Sequence, residues 1–435
     1  MGELSVGLLR EWKERLKGSR TGGAHTLAPE AFVTLFIHGC FQFGASMSGL
    51  FLNLYLWRLT EDLWVNGMFN VLVYGITPLA FAAGGYIAKK KDRMVTYRIG
   101  IMLIAVFYLG VIFAREQVAA YYPLFALFNG TALGFYWVGY LVLMYDVTSE
   151  RNRGRFLGLN LIVFNTAGLA GPALAGYLIG QFEGLQGYIV TFAIAFVMFA
   201  LASMFSLKIG ALKMRHRTYY LNYAGEMMKR NRLWLNSLFG YFILGLFQGI
   251  MLFLPNILLY QTYGREDRVG LLTVFFALIT IGTAFFVSRR KSHDRARQDV
   301  FWSTLMSTGA ACVLLIDISW WTVLIFMIVF SVFNPLTVNS LNVYYYRLMD
   351  FLPLKGQFRI ESVVIRELFL NIGRVISIFG LISFADNPES AALPVVLVAS
   401  SILQFGIVFL VAGRAERPAG NAVAAERRRQ AAEKG

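Results

Sequence analysis

The chain predicts an all-α integral membrane fold of twelve transmembrane helices in two pseudo-symmetric six-helix halves, and three observations lead there. It is too apolar for a soluble globule: 57% of its 435 residues are hydrophobic and only 15% are charged, against roughly a quarter charged in soluble domains. It divides into runs of roughly 20 apolar residues, the length that crosses a hydrocarbon core of about 30 Å. Its basic residues gather in alternate connections.

The runs lie at 31–57, 64–88, 97–114, 119–145, 156–181, 187–207, 234–260, 269–288, 300–316, 319–346, 362–384 and 391–413. The net charge of +15 raises nucleic-acid binding, and the location of the 40 Lys and Arg excludes it. With a cytoplasmic N-terminus, only Arg58, Arg115, Arg265 and Arg268 fall on the outer side, and Arg366 and Arg374 fall in span 11. All the others sit in the tails and even-numbered loops or, for Arg98, at the cytoplasmic start of span 3, which places both termini in the cytoplasm and the excess charge against anionic lipid. The first 29 residues lack a secretory cleavage pattern, so span 1 serves as an uncleaved insertion signal of a multi-pass plasma-membrane protein. Within residues 1–30, Leu4, Leu8, Trp12 and Leu16 recur every four residues among basic side chains. That segment reads equally as a surface helix or as a disordered basic tail.

Taken in order, the spans carry scattered polar groups. Span 1 holds His38, suited to titrate near neutral pH, with Gln42 a turn later. A hydrogen-bonded packing role is the alternative. Span 4 holds Asn129, then Tyr136, Trp137 and Tyr140, which either offer stacking surfaces or face lipid. Gln248 in span 7 and Asn334 in span 10 are hydrogen-bonding groups for a polar substrate or ties between helices. Cys40 and Cys312 lie within spans, so neither a disulfide framework nor a metal site is implied.

Repetition organises the chain. At an offset of about 200 residues, Gly39, Gly44 and Gly49 of span 1 match Gly240, Gly245 and Gly249 of span 7. "AKKKDR" from Ala88 matches "SRRKSHDR" from Ser288, and Asn165 matches Asn371. Two halves follow, 31–207 and 234–413, joined by a basic, aromatic-rich cytoplasmic connector at 208–233 and ending in a flexible cytoplasmic tail at 414–435.

Span 11, "ESVVIRELFLNIGRVISIFGLISF" from Glu361, is the unusual one. Charges persist within a membrane mainly when paired or lining a cavity. Arg366 lies only about 6 Å into the span and reads as an anchor that snorkels to the interface. Arg374 lies roughly 18 Å past Ser362, near the midplane, with no such exit. Glu367 and Arg374 are seven residues apart on one helical face, with Asn371 between them. Arg374 therefore binds an anionic group of a substrate or pairs with Glu367, and Glu367 is the carboxylate suited to take up and release a proton. A buried structural ion pair is the alternative.

Twelve spans in two related halves around a cytoplasmic connector resemble the major facilitator superfamily of secondary transporters, over nearly the whole chain. After span 2 that family carries Gly, three residues, Asp, Arg, then Gly and a basic pair. Here Gly85 takes the first place, Lys89 stands where the Asp would be, Lys90 at the Arg, Asp92 at the Gly and Arg93 at a basic position. The resemblance implies a latch between cytoplasmic helix ends, which with Lys89 in place of an acid must use other pairs, such as Asp92 or Asp294 with a nearby Arg. A positive-inside anchor is the alternative. In span 5, Gly158, Ala167, Gly171, Pro172, Ala175 and Gly176 occupy the places of the family's antiporter signature. In span 4, Ala126 stands where proton-coupled drug exporters carry an Arg, before Asn129 and Gly130 at their Gln-Gly pair.

The resemblance implies a monomeric secondary transporter that moves a small molecule by alternating access, as proton-coupled export or antiport. Proton-coupled uptake of a polar or anionic solute and lipid flipping compete with it. An integral membrane enzyme acting on a lipid-linked substrate, or a nonconducting receptor, is the alternative from another class. The chain has no GxxxxGK[ST] loop, so no ATP-driven step is expected, and no catalytic residue, cofactor or metal is implied. The expected partners are the substrate, a coupling proton and membrane lipid.

Overall fold

A computed structural model of the protein describes residues 29–146, 153–210, 218–288, 296–350, 352, 357–385 and 392–411. The amphipathic stretch from Leu4, residues 211–217 of the connector, Asp294 and the tail beyond 411 lie outside the described residues, as does the side chain of Arg93.

Among the described residues, twelve main helices run α1 Pro29–Thr60, α2 Leu63–Lys90, α3 Arg93–Ala114, α4 Tyr122–Asp146, α5 Arg153–Gly180, α6 Gln186–Ser206, α7 Arg232–Met251, α8 Glu266–Ser288, α9 Ala296–Val313, α10 Trp320–Asp350, α11 Arg359–Phe384 and α12 Ala392–Leu403. Short pieces accompany them: Gln117–Ala120 precedes α4, the 3-10 turn Leu221–Tyr223 and Ala224–Arg230 precede α7, while Leu254–Tyr263 and Phe405–Leu410 prolong α7 and α12. Local chemistry sets the boundaries. Asp62 accepts from Trp64 N at 2.7 Å to start α2, and Asn231 accepts from Trp234 N at 3.0 Å to start α7. Each supplies first-turn amides with the acceptor the helix itself lacks. Gly264, at φ +66°, closes Leu254–Tyr263 in the left-handed conformation that favours glycine.

Among the described residues, eleven rods are long and apolar enough to cross a bilayer by length and composition, with α7 and its continuation forming one of them. The remaining helix, α9, differs from its expected position: it begins at Ala296 rather than about residue 300, and Arg297, Gln298 and Asp299 lie in its first turn. Its hydroxyls bond to α10. Ser303 Oγ donates to Phe333 O at 2.6 Å and accepts from Thr337 Oγ1 at 2.8 Å, so this polar helix gains its partners inside the bundle.

Each half packs on itself: α1 on α5 and α6, α4 on α2 and α3, then α7 on α11, and α9 on α10 and α12. The halves meet where α2 lies along α11 and α5 meets α8. Small residues bring the backbones together at both kinds of contact. A methyl at Gly245 would collide with Leu370 O, one at Gly373 with Phe242 O, and one at Gly249 would meet Arg374 O at 2.6 Å. The α7–α11 seam around Arg374 is therefore built for residues without a side chain. On the α5–α8 contact, Gly176 and Gly270 leave room only for each other, with a methyl on either coming within 3.0 Å of the other's Cα.

Candidate functional site

Arg374 stands near the middle of the 26-residue α11, and its contacts are neutral. Its Nη2 donates to Gln248 Oε1 at 3.1 Å and its Nη1 to Asn371 Oδ1 at 3.2 Å. The guanidinium carbon lies 5.1 Å from the ring centroid of Tyr74 on α2, across the interface between halves. Arg374 Nε is buried without a hydrogen-bond partner. Among the described residues no carboxylate comes within salt-bridge reach of it.

Of the two readings of Arg374, the pairing with Glu367 is not what the structure shows. Glu367 Oε1 instead accepts from Arg366 Nη2 at 2.6 Å. Arg366 does not snorkel: it is 8% exposed, and its guanidinium lies 5.4, 5.8 and 6.0 Å from the rings of Tyr241, Tyr345 and Tyr346. Tyrosine faces from α7 and α10 offer the buried cation a negative π surface, so the side chain turns into the half rather than outward. Asn371 holds Arg374 through its Oδ1, while its Nδ2 donates to the main-chain carbonyl of Glu367 at 2.8 Å and not to the carboxylate.

At the conformational motif, the described residues show a tie between the halves through Lys89. Asp92 serves as the N-cap of α3, accepting from Met94 N at 2.9 Å. Lys89, 1% exposed, crosses the interface and pairs with the fully buried Glu361 of α11. Lys89 also donates to Gln357 O at 2.9 Å, and Tyr220 N donates to Glu361 at 2.8 Å. The Lys89 ammonium lies 5.0 Å from the Tyr220 ring and 5.9 Å from that of Tyr219. Burial, with the Glu361 charge adding to it, holds the Tyr219 phenol above its usual range, so it remains a neutral group that donates to Ala82 O at 3.2 Å. Gly85 admits this arrangement, since a methyl there would meet Ile360 and the Tyr219 hydroxyl at 3.2 Å.

A second tie between halves closes the opposite end of the bundle. Arg58, at the end of α1, donates to Glu266 Oε1 of α8 at 2.7 Å and to the Tyr260 hydroxyl. Tyr188 OH of α6 donates to the same carboxylate at 3.2 Å. Composition and periodicity revealed neither tie. A signal was present: Lys89 in place of an acid calls for an acid in place of a base, and Glu361 opens the span it faces.

His38 and Tyr136 form a separate group inside the first half. His38 Nδ1 lies 2.9 Å from the Tyr136 hydroxyl, and its ring stacks on Tyr140 at 4.1 Å. Tyr140 OH donates to Asn160 at 2.6 Å. The Nε2 atoms of His38 and Gln42 are buried without hydrogen-bond partners. Asn129 is buried on α4 and Asn334 half-buried on α10, and neither hydrogen-bonds Arg374. Within the span-5 motif, Gly171 packs against the Ser46–Met47 backbone of α1, with 2.8 Å from a methyl at that position to Met47 N. Gly176 faces α8, Pro172 lies within α5, and Gly158 has open space.

Two bundles of six helices, a polar interface and an arginine set within it define a membrane transporter. The chain belongs to the Major Facilitator Superfamily, whose family profile matches residues 35–353. It is 29% identical to the uncharacterized protein YqgE of Bacillus subtilis (strain 168) over 364 residues, covering 83% of this chain and 84% of that one. It is 31% identical to an uncharacterized protein of the sodM 3′ region of Geobacillus stearothermophilus over 189 residues, 43% of this chain and 86% of the relative. Among solved structures it is similar to the nucleoside transporter NupG, with TM-score 0.64, 13% identity and coverage of 87% and 98%. It is also similar to the D-xylose-proton symporter, with TM-score 0.65, 12% identity and coverage of 87% and 96%. A bacterial homologue of ferroportin in its inward-facing state gives TM-score 0.67, 15% identity and coverage of 87% and 97%. At these identities the likeness is one of fold.

Proposed function

We propose that the chain is a secondary active transporter that moves a small molecule by alternating access, rocking residues 31–207 against 234–413. The observation that carries this reading is the pair of inter-half ties at opposite ends of one interface, Lys89–Glu361 and Arg58–Glu266. A path that opens to one side at a time requires one tie to break while the other holds. Both are engaged here, as a closed intermediate requires. The basic loops place the Lys89 end in the cytoplasm and the Arg58 end outside.

Proton-coupled export or antiport is the coupling mode we propose, on the likeness of Gly158, Gly171, Pro172 and Gly176 to the antiporter signature. Glu367 is the proton site. Protonation would cancel its attraction for Arg366 and release that guanidinium within the ring of Tyr241, Tyr345 and Tyr346. Proton-coupled uptake remains the second reading, favoured by the un-neutralised Arg374. The working unit is a monomer in the plasma membrane, with lipid around it and both termini in the cytoplasm.

The test is spectroscopic and needs no known substrate. Spin labels at positions 61 and 261 report the Arg58 end, and labels at 90 and 359 report the Lys89 end. Changes of pH and the substitution Lys89→Met should lengthen one distance while the other stays short. Both distances staying fixed under all conditions, or lengthening together, would overturn alternating access.

A further inference from the structure

Among the described residues of the bundle, one cation lacks a balancing group. Arg58, Lys89 and Arg366 each hold a carboxylate. Arg98 donates to Ser206 O and Ile209 O at the end of α6, where the helix carbonyls carry partial negative charge. Arg374 has two amide oxygens and a ring face. An arginine cannot discharge itself by losing its proton, so this position carries a full positive charge that the surrounding protein leaves unbalanced.

We propose that Arg374 is the binding point of a compact, water-soluble organic monoanion of the carboxylate class, and that such anions are the transported substrates. The inference rests on the transporter reading and deepens it. Guanidinium has five N–H donors in a fixed fork, and carboxylate matches one edge of it with two parallel bonds. Gln248 and Asn371 engage one donor on each terminal nitrogen. The Nε proton remains buried and unused, and it is one arm of the edge that a carboxylate would take. The two amide oxygens would repel an anion if they faced it, but they are held by the guanidinium itself. Gln248 Nε2 is a donor, and Asn371 Nδ2 already donates to Glu367 O.

The stoichiometry of charge sets the class. One unpaired cation balances one negative charge, and among the described residues no second cation reaches the Arg374 group, so a dianion would carry its surplus charge into the interface. Tyr74 sets the shape of the remainder. Its ring comes from α2 and meets Arg374 from the other half, giving a flat apolar body a surface beside the carboxylate. An anion held there touches both halves, the position from which it can bias their relative movement.

The experiment uses the purified full chain and reads the thermal midpoint against benzoate, acetate, succinate, sulfate and laurate, with chloride matching ionic strength. Parent, Arg374→Gln and Arg374→Lys are measured in parallel. Benzoate and acetate should raise the midpoint of the parent, benzoate at lower concentration. Arg374→Gln should show no shift. Arg374→Lys keeps the charge but loses the fork, so it should need about tenfold more benzoate, and it answers the question alone if Arg374→Gln does not fold. Equal benzoate shifts in parent and variants, or no monocarboxylate shift beyond that of chloride, would overturn the proposal. So would succinate or sulfate outperforming benzoate, and so would a response to laurate alone, which points to a lipid-derived carboxylate. The spin-label distances separate the two readings: benzoate binding through Arg374 with both ends immobile refutes transport and keeps the anion site, whereas moving ends without an anion response refutes only the anion.

Discussion

Arg366 and Arg374 share one helix and differ in everything around them. Arg366 has a carboxylate at 2.6 Å and three tyrosine rings, all from its own half of the molecule. Arg374 has neutral amides, an unused Nε and one ring from the opposite half. Both leave Nε buried without a partner, so the difference is one of charge: the first arrangement is complete in charge without a ligand and the second is not. A charge within a membrane therefore has to be read from its partners rather than from its depth.

The sharpest way to break that comparison is to remove the counter-charge from the complete site. Glu367→Leu leaves Arg366 buried and unbalanced, which should cost about 3–5 kcal/mol and lower the thermal midpoint steeply. Arg366→Met combined with Glu367→Leu should recover most of the loss, since the uncompensated charge is gone. A single substitution no worse than the exposed Glu226→Gln, or a double variant as poor as the single, would show that the ion pair is not what holds this region. Packing at the second arginine comes next. A side chain at Gly249 would collide with Ser377 Oγ and meet Arg374 O at 2.6 Å, so Gly249→Leu should force α7 from α11 at about 1–3 kcal/mol. Its midpoint should fall and its benzoate response should vanish with it. An unchanged response would mean that the seam does not position Arg374.

These two sites also show how far the sequence could be read. Apolar run lengths and basic-loop asymmetry suffice to define the helices, because each span meets the bilayer by itself. The glycines recurring between spans 1 and 7 were visible, and Gly245 and Gly249 prove to be what brings α7 onto α11. Gln248, Asn371 and Arg374 were legible as polar groups and do assemble. Pairing was not legible. Helical periodicity puts Glu367 and Arg374 on one face, yet Glu367 reaches its chain neighbour Arg366, because Tyr241, Tyr345 and Tyr346 draw that guanidinium into the half. The tyrosines come from α7 and α10, far off in sequence. Span 9 begins four residues before its apolar run, because Arg297, Gln298 and Asp299 form a polar first turn that hydropathy does not count.

Removing the second arginine itself should do little to the empty protein. Arg374→Gln deletes an unbalanced charge and keeps a group able to hydrogen-bond Gln248 or Asn371, so its midpoint should stay within about 1 kcal/mol of the parent, or rise. The measurement is the ligand-free midpoint beside that of Glu367→Leu. A fall as large as in that variant would make Arg374 a structural cation and erase the contrast between the two sites.

The smallest effect tests the ring that crosses the interface. Tyr74 approaches Arg374 at 5.1 Å, a distance at which the ring's negative face attracts the guanidinium, worth about 0.5–1 kcal/mol at a partly solvated site. Tyr74→Leu should weaken benzoate binding by roughly two- to fivefold, since it removes both the attraction that orients the fork and the flat surface beside the carboxylate. Tyr74→Phe retains the ring and should bind nearly as the parent does. Acetate, with no flat body to lay on the ring, should lose less than benzoate in Tyr74→Leu. The corresponding change at the complete site, Tyr346→Leu, should leave benzoate binding where it was, because Arg366 keeps its carboxylate and two further rings. If Tyr74→Leu and Tyr346→Leu behave alike, the inter-half ring has no part in recognition and the anion is held by Arg374 alone.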